Sequence, residues 1–184
     1  VVVIQASGVQ FYLWMVFLAT YANLAGGLPI SEGLFAGMIS LGFYTLVVSP
    51  LAALSDRIGR KPMLIGSAAG FLLLVYPMLQ MLKTANFTTF LMIQMAGIFL
   101  IAMNNAVIGT VFSEIFPTRL RATGIGLPYA ICVAIFGGTS PLIATYFIKN
   151  GQDQFISFYV MAICLISIIV HIFITPETKG KELD

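Results

Sequence analysis

An all-α membrane protein with six spanning helices is the fold class this sequence predicts, and three observations carry it. Of 184 residues, 59% are hydrophobic and 9% charged, against about 25% charged in soluble domains. The mean hydropathy is +1.00. The charges are also confined: uncharged runs cover 1–31, 33–55, 62–82, 84–113, 122–148 and 154–176. A bilayer core of about 30 Å takes about 20 helical residues to cross, so each run can span once. A transmembrane barrel is excluded, because its strands of about 10 residues would alternate apolar and polar positions, whereas these runs are apolar on all sides.

The first helix is expected at 4–26, where "GGLP" at 26–29 ends it, since proline disfavours helical geometry in the residue before it. The second runs over 32–54 and carries Pro50. After the charged turn "LSDRIGRKP", Leu54–Pro62, the third covers 63–82, with Pro62 beside its first turn, where a missing N–H costs nothing. The fourth covers 88–113, the fifth 123–148 with "FGGTSP" at 136–141, the sixth 155–175, and a tail takes 176–184. Pro50 and Pro141 are positions where a helix can kink, because proline removes a backbone hydrogen bond. The third and sixth helices are poor in polar groups and read as lipid-facing support. The other four carry more Asn, Gln, Tyr, Thr and Pro and should face protein or a water-filled cavity.

Basic residues in short loops favour the cytoplasmic side. One face collects Arg57, Arg60, Lys61, Arg119, Arg121, Lys179 and Lys181, against Lys83 and Lys149 on the other. Both ends of the segment are therefore expected in the cytoplasm, which agrees with an even helix count. The formal net charge of +2, carried in short loops, gives no nucleic-acid footprint. Cys132 and Cys164 fall inside predicted spans, where a small apolar role is the default. With one His and no HExxH, CxxC, Walker or G-x-S-x-G motif, the chain reads as neither an enzyme nor a holder of a metal or cofactor. It opens inside a helix without Met, and reads as one half of a longer protein.

Two polar stripes are candidates for solute contact. Gln10, Trp14, Phe17 and Tyr21 recur at i, i+4, i+7 and i+11 of the first helix, and Gln94 and Asn105 lie eleven apart on the fourth, with Asn104 adjacent. Tyr44 on the second helix and Tyr129 on the fifth complete the candidate cavity set. Packing between helices without a solute is the competing use of the same residues. No ionisable residue lies deep in a span. His171, about one turn from the end of the sixth helix, reads as an interfacial anchor, so an acid or base that moves protons is expected in the missing half.

The charged turns pose a separate question. Asp56 stands at a helix C-terminus, where the dipole presents partial negative charge, so it needs a positive partner. In "SEIFPTRLRATG", 113–124, Glu114 repeats that placement, with Arg119 and Arg121 before the next helix. Glu114 with Arg57 or Arg60, and Asp56 with Arg121 or the N-terminus of the fifth helix, are the expected pairs. Such bridges would lie at the inner mouth and break on opening.

These residues resemble a family. "DRIGRK" is similar to the D-R-x-G-R-[RK] loop signature of the major facilitator superfamily, "SEIFPTRLRATG" to its E-x-x-P-T-x-x-R-x-x-G segment, and "PETKGKELD" to the P-E-T-x-G tail of sugar porters. With "FGGTSP", the combination looks most like the C-terminal half of a metabolite:proton symporter. The resemblance implies one half of a twelve-helix carrier with an N-terminal six-helix partner half, in a bilayer such as the bacterial inner membrane. It also implies alternating access of a small hydrophilic solute, an organic acid or zwitterionic osmolyte, by proton symport. The first, second, fourth and fifth helices would line the cavity, and Asp56, Arg57, Gly59 and Arg60 would gate it. A sugar porter, or a non-transporting receptor with the same fold, are the alternatives.

Overall fold

The computed structural model describes residues 8–115, 121–175 and 177, with the side chains of 114, 115, 121 and 122 outside the described set. Six helical rods follow in order, and no strand occurs among the described residues: α1 (8–26), α2 (Ile30–Ile58), α3 (Arg60–Met81), α4 (Phe87–Ile115), α5 (121–149) and α6 (Gln154–Phe173). Within the described residues, five helical stretches are long and apolar enough to cross a membrane, from Ile30–Ile58 through Gln154–Phe173. α1 is shorter over its described length and richer in polar groups. The rods alternate in direction, which follows from connections only a few residues long. One end of the bundle therefore carries Gly59, and the other carries Lys83.

Packing explains which faces are buried. α2 pairs with α4 and α3 with α6 along the most extensive interfaces, and α3 also packs on α4. The main core is built from α1, α3, α4 and α6, with Trp14, Phe71, Phe90, Ile98, Val160 and Cys164 inside it. α2 and α5 bury the smallest share of their surface. Many of their exposed side chains, including Leu46, Met38, Leu127 and Leu142, are large and apolar, as lipid or another hydrophobic surface requires.

Two rods depart from regular α geometry. α1 is π-helical over Tyr12–Phe17 and α5 over Val133–Gly137. The cause is plain in α5: Pro141 has no N–H to offer the carbonyl four residues back, at Gly137, so regular bonding fails there. Hydroxyls bond to other carbonyls of the same segment, with Thr139 donating to Ile135 O and Ser140 to Phe136 O. Thr145 Oγ1 donates to Pro141 O at 2.7 Å. Ser and Thr side-chain bonds of this kind help a broken helix persist in lipid.

At the Lys83 end, α1 is tied to its neighbours. Lys83 Nζ lies 2.6 Å from Asp153 Oδ2, and Tyr21 Oη donates to the same oxygen at 3.3 Å. Gly26 lies so close to the backbone of Leu82 that an added Cβ would come within 2.4 Å of its carbonyl oxygen.

Candidate functional site

A cavity of about 360 Å³ opens between α1, α4 and α5, lined by Gln10, Tyr12, Asn104, Asn105, Tyr129 and Val133 together with glycine and apolar residues. Both π segments contribute to it, through Tyr12 and Val133. They also touch, since a Cβ added at Gly137 would come within 2.4 Å of the Tyr12 ring. π-turns recur at functional sites because the inserted residue redirects the side chains around it. Among the described lining residues none carries a full charge. The site can therefore hydrogen-bond a polar solute through amides and phenols.

The sequence stripes divide in the structure. Gln10, Asn104, Asn105 and Tyr129 line the cavity. Tyr44 is not part of the lining, but its hydroxyl accepts from Asn105 Nδ2 at 3.2 Å. Trp14, Phe17 and Tyr21 pack instead toward Leu79 of α3 and Ile156 and Val160 of α6. The stripe keeps one face, since Gln10 also meets α6, at Cys164, but that face is turned toward α3 and α6, and of its four residues Gln10 alone is among the cavity's lining. Trp14 is fixed in the core by Nε1 donating to Ile93 O at 3.3 Å and by an edge contact with Phe71, ring centroids 5.2 Å apart. Gln94 is buried beside Gly37 of α2, and its Oε1 has no hydrogen-bond partner among the described residues. Tyr12, Gly8 and Gly109 join the cavity lining without having been expected there. No pattern in the sequence marks them, because their placement follows from the π-turn and the helix crossing.

Two other readings are corrected. His171 is fully buried in the protein, with Nδ1 3.3 Å from Thr175 Oγ1, so it is not an interfacial anchor facing lipid. Cys164 is more than apolar filler, because Gln10 Nε2 donates to its Sγ at 2.9 Å.

At the Gly59 end, the charged turn is a compact clamp. Gly59 ends α2 and starts α3 with φ +106° and ψ 159°, a backbone region that favours glycine. Asp56 pairs with Arg60 across this turn, Oδ1 to Nη1 2.7 Å, a partner that the sequence did not single out; the side chain of Arg121, the partner expected there, lies outside the described residues. The side chain of Arg60 also donates to Ser55 O at 3.2 Å. The tail supplies the rest. Glu177 accepts from the backbone N–H groups of Arg60 at 3.0 Å and Lys61 at 3.1 Å, capping α3 with a carboxylate where the helix dipole is positive. Lys61 Nζ donates to Ile172 O at 2.7 Å near the C-terminal end of α6. Tail, turn, α3 and α6 are thereby joined. Arg119 and the side chains of Glu114 and Arg121 lie outside the described residues, so the pairs expected for Glu114 do too. Arg57 lies in the last turn of α2, beside Asp56.

The sequence found Asp56, Gly59 and Arg60 but not Glu177, whose role depends on the tail folding back to the turn. Glu177→Gln is expected to speed amide exchange at Arg60 and Lys61 by about fivefold, the equivalent of about 1 kcal/mol for a carboxylate at a helix N-terminus. Hydrogen exchange read by mass spectrometry checks this, with Asp56→Asn as comparison. The Asp56–Arg60 pair is solvent-exposed on the Asp56 side and should contribute about 0.2–1 kcal/mol, so its removal should leave both amides protected.

A family profile described as "Sugar (and other) transporter" matches residues 3–184. Among curated proteins, the chain is 25% identical over 183 residues to the alpha-ketoglutarate permease of Escherichia coli, covering 97% of this chain and 41% of the permease. It is 32% identical over 147 residues to the citrate-proton symporter of Klebsiella pneumoniae, covering 78% of this chain and 33% of the symporter. To the ectoine/proline transporter ProP of Corynebacterium glutamicum it is 26% identical over 184 residues, covering 100% of this chain and 36% of that protein. The chain thus spans between a third and about two fifths of the length of these relatives. No solved structure matches it.

Proposed function

The chain belongs to the sugar (and other) transporter family, within the major facilitator superfamily, and from that premise we propose that it forms part of a secondary transporter for a small hydrophilic metabolite. The solute is an organic acid or a zwitterionic osmolyte, in line with the relatives' names. The observation that carries the reading is the cavity in which Gln10, Asn104, Asn105 and Tyr129 converge. Amides and phenols together offer donors and acceptors, the few placed polar groups by which a site orients a polar solute.

In this reading the cavity is half of a site completed by a second six-helix half, at the midplane of a bacterial inner membrane. The Gly59 end faces the cytoplasm, as the distribution of Arg and Lys favours. The clamp of Asp56, Arg60 and Glu177 belongs to the gate at that end, with Arg57, Glu114, Arg119 and Arg121 as its expected members. Proton coupling uses an acid or base in the partner half. The uncharged lining also favours a second reading, a sugar porter, because hydroxyls need no compensating charge.

Full-length protein in proteoliposomes should take up labelled 2-oxoglutarate, citrate or proline when an inward proton gradient is imposed, and uptake should fall when a protonophore collapses the gradient. Uptake indifferent to the protonophore rules out proton coupling. Competition by hexoses but not by carboxylates or proline selects the sugar reading, and no uptake of any of these solutes removes the transport reading.

A further inference from the structure

Two of the cavity amides are each bonded to a side chain outside the lining. Gln10 is almost fully buried, and its Nε2 donates to Cys164 Sγ at 2.9 Å. Cys164 is wholly buried on α6 and is not part of the cavity lining. Asn105 Nδ2 donates to Tyr44 Oη at 3.2 Å, and Tyr44, on α2, is likewise not part of the lining. The pattern thus occurs twice, on different helices with different partners.

A planar carboxamide carries its nitrogen and its oxygen on opposite branches. Fixing the nitrogen on a partner outside the lining limits where the oxygen of the same lining residue can turn. From this geometry we propose that Cys164 and Tyr44 are positioning residues that present Gln10 Oε1 and Asn105 Oδ1 to the solute, so that this wall reads a hydrogen-bond donor. The matching solute group is a hydroxyl or an N–H-bearing ammonium. A carboxylate has only acceptor oxygens and finds no partner in these two atoms. The inference rests on the transport reading and adds to it which part of the solute this half recognises.

The roles of the two pinning residues differ in strength but not in direction. Loss of either frees an amide to rotate, after which its nitrogen or its oxygen can face the solute. The preference for a donor then weakens without the site losing polarity. A residue that merely fills space would instead lower folded yield or affect all solutes alike.

Two matched pairs test this in the full-length carrier: citrate against tricarballylate, which lacks the hydroxyl, and proline against N,N-dimethylproline, which lacks the N–H. In the pair that is transported, the donor-bearing member should have the lower KM, by about three- to tenfold for one or two hydrogen bonds. Tyr44→Phe and Cys164→Ala should each raise the KM of the donor-bearing member toward that of its analogue, with maximal rate unchanged. Cys164→Ser, which keeps a hydrogen-bonding atom, should restore the preference. Equal KM values within the transported pair in the unmodified carrier would overturn the proposal. So would variants that shift both members equally or neither. Absence of uptake of all four solutes overturns the proposal, and the transport reading falls with it only if 2-oxoglutarate and hexoses are refused as well.

Discussion

Gly109→Phe should abolish uptake while leaving the protein folded. Gly109 is on α4 and lines the cavity, and a Cβ built there meets nothing within 4 Å. A side chain can therefore leave the backbone there without a clash at its Cβ among the described residues, and a benzyl group would extend into the space where the solute is proposed to sit. Helix propensity slightly favours the change, since glycine is the weakest helix former after proline. Uptake should fall by about tenfold or more, the loss that accompanies each 1.4 kcal/mol of forfeited binding. The midpoint of thermal unfolding in detergent should stay near that of the unmodified protein. Normal uptake with Phe in place would show that the cavity is not on the solute path.

Gly97→Ala, on the same helix, should do the reverse and damage folding first. Its Cβ would lie 1.9 Å from Trp14 Nε1 and 2.3 Å from Cε2. Trp14 is 1% exposed, so the indole has nowhere to go without losing its bond to Ile93 O and its contact with Phe71. Overpacking of this kind typically costs about 1–3 kcal/mol, and a lost hydrogen bond adds about 0.5–1.5 kcal/mol. On an isolated helix the same change would stabilise by about 1 kcal/mol, so the sign of the effect separates packing from propensity. A fall in the unfolding midpoint, partly recovered by adding Trp14→Leu, is the expected result. A midpoint that rises would mean that α1 and α4 are not in contact at Gly97.

The contrast between these two glycines shows the limit of reading the site from sequence. Both stand in one uncharged run, and nothing in its composition tells them apart. Asn104 and Asn105 were legible because an amide in a span is costly unless something meets it. Gln10 was legible for the same reason. Trp14 and Tyr21 carried an equally good spacing argument, yet they pack in the core, because spacing shows that residues share a face but not which neighbour that face meets, here α3 and α6. Cys164 carried no signal at all. Its sulfur matters through a residue 154 positions away in sequence.

The charged turn divides in the same manner. Gly59 was legible because a reversal this tight needs a backbone conformation that side chains resist, and its φ of +106° meets that need. The bond from Asp56 to Arg60 was not legible, because several arginines near the turn offer the same charge and only distance decides which of them reach it. Glu177 looked like part of a tail, and its carboxylate became a helix cap only through contact with Arg60 and Lys61, more than a hundred residues earlier.

By itself the sequence determined an all-α membrane protein with closely joined helices and polar groups concentrated on particular rods. The reason is local: bilayer thickness sets helix length, and burying charge in lipid is costly wherever it occurs. Only the tertiary structure decided which polar side chains share a cavity, which are locked in the core, and which bond to lining residues from outside the lining. Those outcomes depend on helix rotation and close approach, to which π-turns and glycine contacts far apart in the chain contribute together.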